Sequence, residues 1–303
     1  MLSTLFQMFA LIGLGLIWSI YNPGQLESRV IRKVLTDTVY YLFLPALVLN
    51  ILWQAPLGID SVKISITAAI GVLAALLAAW LVCTRCRSNP QVTGAILLVT
   101  AFPNATYLGY PVLVKTLGEH AGSIAIQYDL FAVTPLLLTF GVILAAHYGE
   151  GNEKPNPLML LIKVPPLWAA LIATLLNVSG VPAPQWLSGL FSMMGSAVVP
   201  LMLLAIGLAL KQGFREIHHL NTVIPVIVIK LALMPLLALG TTILLAMEGQ
   251  LRTAVVLEAA MPSMVLGIVL CDRYGLNSGI YAAAVTATTV LSLFTLPLWF
   301  NLV

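Results

Sequence analysis

Two short motifs carry much of the polar chemistry of this chain: Phe102-Pro103-Asn104-Ala105-Thr106 and Met261-Pro262-Ser263-Met264. Each lies inside an apolar stretch. Proline removes a backbone donor and clashes with the preceding turn, so each motif predicts an interrupted helix. The half-helix that resumes after such a break presents free N–H groups and the positive end of its dipole. Two such ends facing one cavity suit an anion, a carboxylate in particular, better than a metal cation. The residues placed to touch a ligand there are Pro103, Asn104, Ala105, Thr106, Tyr107 and Tyr110 from the first motif, and Met261, Pro262, Ser263 and Met264 from the second. Asn104 offers an amide donor, and the same position suits capping of the half-helix. Thr106, Tyr107, Tyr110 and Ser263 can line a cavity or pack against neighbouring helices.

Ionisable residues inside apolar segments are costly and read first as functional. Glu258 stands one turn before Pro262, and Asp129 lies about two turns into another apolar run. Both are candidates for carrying a coupling proton or ion, with a hydrogen-bonded structural carboxyl as the alternative. Lys230 could pair with a ligand carboxylate or an acid, or snorkel to an interface. Asp37 is a fourth coupling candidate, although its place near a segment end reads as interfacial. Asp272-Arg273 and His218-His219 read as solvated loop pairs, and His120 and His147 as interfacial. Cys83, Cys86 and Cys271 are too few for a metal site, and no cofactor is expected.

These residues need a bilayer around them. The chain has 303 residues, is 60% hydrophobic and 8% charged, and has a mean hydropathy of +1.02; soluble domains are about 25% charged. The composition predicts an all-α membrane protein with no separate soluble domain, and no basic run points to nucleic acid. Apolar runs at roughly 3–20, 34–53, 64–82, 92–117, 123–146, 158–178, 188–210, 223–246, 253–271 and 280–302 give ten expected transmembrane helices. The fourth and ninth hold the central prolines. The start, Met1-Leu2-Ser3-Thr4, lacks a basic n-region and reads as a retained span rather than a signal peptide. Nine basic residues (Arg29, Arg32, Lys33, Arg85, Arg87, Lys154, Lys211, Arg215 and Arg273) fall in odd-numbered loops, and three (Lys63, Lys115 and Arg252) in even-numbered ones. The bias predicts cytoplasmic odd loops and both termini on the outer side.

Prolines also pair between the halves: Pro45 with Pro200, Pro103 with Pro262, and Pro135 with Pro297, at offsets of 155, 159 and 162 residues. The pairing predicts a five-helix unit used twice, residues 1–150 and 151–303. An odd number of spans per unit forces the second copy to be inverted, so the broken helices four and nine cross near the midplane.

The motifs also carry a family likeness. The stretch from Phe102 to Leu113, with Pro103-Asn104 followed by Gly109-Tyr110-Pro111-Val112-Leu113, resembles the fourth-helix signature of the auxin efflux carrier family. Ala259 to Pro262 with Asp272-Arg273-Tyr274-Gly275, Phe43-Leu44-Pro45-Ala46, and Pro200 to Leu210 resemble its ninth, second and seventh helices. The likeness runs in order over nearly the whole chain. It implies the inverted-repeat fold of sodium/proton antiporters and bile-acid symporters. It further implies a scaffold from helices at 3–53 and 158–210 that forms a homodimer contact, and a transport domain from helices at 64–146 and 223–302 that moves like an elevator. The short middle loop, Tyr148 to Pro157, matches compact bacterial members, which implies the bacterial inner membrane and argues against auxin as cargo. Asn104 matches the asparagine that touches the substrate carboxylate; Ser263 stands where plant members often have glutamine.

The expected function is secondary active transport of a small organic anion, with the substrate at the crossing. A sodium-coupled symporter on the same fold is the alternative. No P-loop supplies ATP chemistry. The membrane potential favours anion export by about 2.3 kcal/mol per charge per 100 mV, so import needs a coupled cation. Tyr128-Asp129 superficially matches an intramembrane aspartyl protease. No Gly-x-Gly-Asp, Gly-x-Ser-x-Gly or His-Glu-x-x-His motif accompanies it, so an enzyme is not expected.

Overall fold

A computed structural model describes residues 2–150, 156–216 and 220–303. Lys154, His218 and His219 lie outside the described residues. The described chain is helical, without a named strand. In order the helices are α1 Leu2–Tyr21, α2 Ser28–Leu52, α3 Ile59–Cys86, α4 Pro90–Ala101, α5 105–117, α6 Ala121–Tyr148, α7 Pro157–Ile162, α8 Pro165–Val178, α9 Gln185–Arg215, α10 Thr222–Leu244, α11 Gly249–Ala259, α12 Gly267–Tyr274 and α13 Ser278–Leu302. Six of them (α2, α3, α6, α9, α10 and α13) are long and apolar enough to cross a membrane, and α1, α4 and α8 are shorter apolar helices. Large side chains such as Leu77, Trp80, Leu175, Phe294 and Leu298 are exposed on their outer faces, as expected where lipid is the solvent.

Helix ends follow local rules. α4 stops at Ala101 because Phe102 precedes proline and takes an extended conformation (φ −100°, ψ 111°). The same rule separates α7 from α8: Val164, before Pro165, is extended (φ −95°, ψ 104°). The apolar run at 158–178 is therefore two helices rather than the one continuous span expected. α11 gives way at Ala260-Met261 before Pro262, and α12 ends on Gly275 in the left-handed region at φ 72°. Asn277 caps α13 by accepting from the Ile280 N–H at 2.9 Å.

Other prolines are absorbed without a break. Pro45, Pro111, Pro135 and Pro235 each sit just after a wide π-turn, at Val39–Phe43, Ala105–Gly109, Asp129–Val133 and Ile229–Leu233. The carbonyl four residues before each proline, the one its ring would strike, belongs to Tyr41, Tyr107, Phe131 or Leu231, all inside those turns. Widening the turn moves that carbonyl aside and lets the helix continue. The Leu231 carbonyl is then taken by the Trp299 indole N–H at 2.9 Å.

Packing relies on small residues. α1 lies along α9. A Cβ added at Gly207 would strike the Ile12 carbonyl and come within 2.8 Å of the Gly15 Cα, so only glycine permits this approach. α3 buries a stripe of Ala68, Gly71, Val72, Ala75 and Ala79, at the three- and four-residue spacing of one helix face, against α4 and α10. α8 packs on α2, where the Asn177 amide donates to the carbonyls of Leu52, Trp53 and Ala55 at 2.9–3.1 Å, satisfying the end of α2.

Candidate functional site

The two broken segments meet. Pro103 and Ser263 form an isolated antiparallel bridge. The Asn104 N–H donates to the Pro262 carbonyl at 2.8 Å, and the Met264 N–H to the Phe102 carbonyl at 3.0 Å. The proline rule explains the geometry: residues forced out of the helix expose donors and acceptors that need partners inside an apolar body, and each break supplies them to the other. The breaks differ in length. α5 resumes at Ala105, directly after Asn104, whereas α12 resumes only at Gly267. Ser263 therefore lies within the second break and not at the start of its half-helix. It is fully buried, its N–H donates to the Thr288 hydroxyl at 3.2 Å, and its own hydroxyl has no partner.

A cavity of about 270 Å³ opens beside the crossing. Asn104, Thr106, Tyr107 and Met264 line it, as do Asp129 and Asp37. Pro103, Ala105, Tyr110, Met261, Pro262, Ser263, Glu258 and Lys230 do not. Asn104 is 2% exposed and makes no side-chain cap on α5, so its amide is left for the cavity. The Tyr107 hydroxyl is buried without a partner. Asp129 accepts from the Thr134 hydroxyl at 2.8 Å and from the Thr106 hydroxyl. No lysine or arginine lines this cavity among the described residues, so the side-chain donors on its lining are amide and hydroxyl groups.

The other candidates sit apart. Both Glu258 carboxyl oxygens are buried without a hydrogen-bond partner, pressed against Gly109 where a Cβ would collide with them. Lys230 does not snorkel: it is fully buried, with its terminal nitrogen 3.3 Å from the Met234 sulfur. Asp37 is exposed and pairs with Lys33 at 3.7 Å. Asp272 is not simply a loop carboxylate; it bonds Arg29 at 3.2 Å and the Ser278 hydroxyl at 2.5 Å. Tyr110 lines a separate recess of about 500 Å³ with Lys115 and Pro200. His120 bonds Gln250 at 2.6 Å. The described residues hold no cluster of three or more metal-ligating side chains.

Sequence reasoning missed Tyr40, Tyr41, Thr134, Val164 and Pro166, which also line the cavity. A signal existed for the last two, since Pro165-Pro166 marks a third interruption. The sequence profile of the membrane transport protein family matches residues 1–300. The chain belongs to this family, the auxin efflux carriers. An uncharacterized transporter of Methanothermobacter thermautotrophicus is 30% identical over 302 residues, which is 98% of this chain and 96% of the relative. One of Methanocaldococcus jannaschii is 27% identical, covering 76% of this chain and 73% of its own. One of Escherichia coli K12 is 22% identical over 78% and 77%. This protein is thus an integral membrane transporter, and a largely apolar cavity with a few polar side chains lies beside the point where two interrupted helices are stitched together.

Proposed function

We propose that this transporter is a secondary carrier of a small organic anion, bound as a carboxylate where the breaks around Pro103 and Pro262 cross. The observation that carries the reading is the bridge between the breaks beside a cavity that the unengaged Asn104 amide enters. Half-helix N–H groups, the Asn104 amide and the Tyr107 hydroxyl can hold a carboxylate without a cationic side chain. Asp129 in the same cavity would repel that anion, and a proton on Asp129 removes the repulsion; this ties the anion to a proton and favours proton coupling. The architecture that suits this role is two inverted five-helix repeats, 1–150 and 151–303. The helices at 3–53 and 158–210 serve as a dimeric scaffold, and those at 64–146 and 223–302 as the moving body of an elevator. In the bacterial inner membrane both termini would face outward.

Sodium coupling is the second reading. The unpartnered oxygens of Gln127, Glu258, Ser263 and Thr289 favour it, because buried oxygens without donors are what a small cation takes up. The test is transport into proteoliposomes of malonate, malate, succinate, lactate and indole acetate, read as electrogenic current and radiolabelled uptake under imposed pH or sodium gradients. Saturable uptake of one acid, driven by the pH gradient, is the expected result. Uptake that follows sodium alone selects the second reading, and no uptake of any carboxylate overturns both.

A further inference from the structure

The cavity at the crossing is not closed off. Thr36, Asp37, Leu266 and Val269 line it and also line a recess of about 470 Å³ on the side of the basic loops. That recess carries four cations, Arg29, Arg32, Lys33 and Arg273, against two carboxylates, Asp37 and Asp272. Both carboxylates are engaged: Asp272 by Arg29 at 3.2 Å and by the Ser278 hydroxyl, Asp37 by Lys33 at 3.7 Å. Arg32, half-buried on α2, makes no hydrogen bond and no ion pair within 4 Å among the described residues, and Asp272 attracts it from farther away. Arg32 lines this recess and also a second, adjoining one of about 510 Å³ that holds the cations Lys211 and Arg215 and the carboxylates Glu27 and Glu216. Asp272, the carboxylate that attracts Arg32, is in contact with Arg29 and Ser278 instead, so the half-buried guanidinium keeps donors that a visiting anion can take.

We propose that this recess is a second, outer anion subsite, with Arg32 as the group that captures a small carboxylate before it passes Thr36 and Leu266 to the crossing. The proposal rests on the carboxylate reading above. Its role is loading, not the chemistry of translocation. Arg32 sets the apparent affinity from the basic-loop side and leaves the turnover rate alone. The four engaged charges frame the mouth, while Arg32 supplies the field that reaches an incoming anion.

The experiment measures KM and maximal rate of carboxylate uptake, using the same five acids, in vesicles that present the basic-loop side, at low and high ionic strength. One unpaired charge acting through largely aqueous surroundings is worth about five-fold in affinity, and salt erases it as the screening length falls to about 3 Å at 1 M. Arg32→Gln should raise KM about five-fold at low salt with the maximal rate kept, and should lose the salt dependence; Arg32→Lys should restore much of both. Presented from the opposite side, the variant should match the parent. A parent KM that is flat in salt overturns the proposal without recourse to any variant. So does an Arg32→Gln protein with parental KM, while measurable uptake in that experiment leaves the carboxylate reading standing. If the parent carries none of the acids, the carboxylate reading itself fails, and the subsite with it.

Discussion

Replacing Asn104 with alanine separates binding from folding at one position. The asparagine begins α5, where a side-chain cap would ordinarily matter, yet its side chain makes no cap bond and it lines the cavity. Stability should therefore change little. A loss under about 0.5 kcal/mol moves Tm by no more than about 2 °C in a chain of this size. Binding should change much more. A hydrogen bond to a charged group contributes about 1.5–3 kcal/mol, and each 1.36 kcal/mol is about ten-fold, so KM for the transported acid should rise between about ten- and a hundred-fold. The assay is concentration-dependent uptake in proteoliposomes, with thermal melting of the same preparation in detergent. A melting point lowered by several degrees with an unchanged KM would refute the reasoning, because it would make Asn104 a structural residue and leave the cavity without its amide.

Three further outcomes follow from the geometry. Asp129→Asn keeps one of the two oxygens that accept from the Thr106 and Thr134 hydroxyls and puts an amide donor against the other hydroxyl, while removing the charge; uptake should persist but no longer respond to an imposed pH gradient, and a response equal to the parent's would remove Asp129 from coupling. Gly207→Leu must push α9 off the Ile12 carbonyl and the Gly15 backbone; melting should show a loss of at least about 1–3 kcal/mol, and parental stability would mean the two helices do not approach as described. Trp299→Phe strips the donor from the Leu231 carbonyl. It should destabilise the protein by about 1–3 kcal/mol, and Trp299→Phe should be milder when combined with Pro235→Ala, which lets the helix close its own bond.

How much of this was legible in the sequence depends on how local the cause is. The breaks at Pro103 and Pro262 were readable because a proline acts on its own preceding turn. The break before Pro165 follows the same rule, but the apolar run around Lys163 concealed it. The π-turns were not readable: Pro45 and Pro235 look like breakers, and only the packed structure decides whether a turn widens or snaps. The place of Ser263 depended on the length of the second break, which no residue type announces. Tyr40, Thr134 and the Arg29–Asp272 pair reach their places through contacts between distant helices; the last joins residues 243 apart in the chain. Asn104 stands out in the sequence because it follows a helix-breaking proline, and it lines the cavity; Glu258 and Lys230 stand out as ionisable residues in apolar runs, and they are buried outside the cavity lining.

The bridge between Pro103 and Ser263 has a mechanical consequence. It is made by main-chain atoms, so it fastens two distant stretches of the chain much as a rivet fastens crossed struts. The cavity cannot enlarge by letting the struts swing apart without breaking two buried hydrogen bonds at once. Any displacement that keeps both bonds carries the two struts as a single piece. The two bonds themselves involve no side-chain atom, so the groups that line the cavity and the fastening beside it are separate parts of the site.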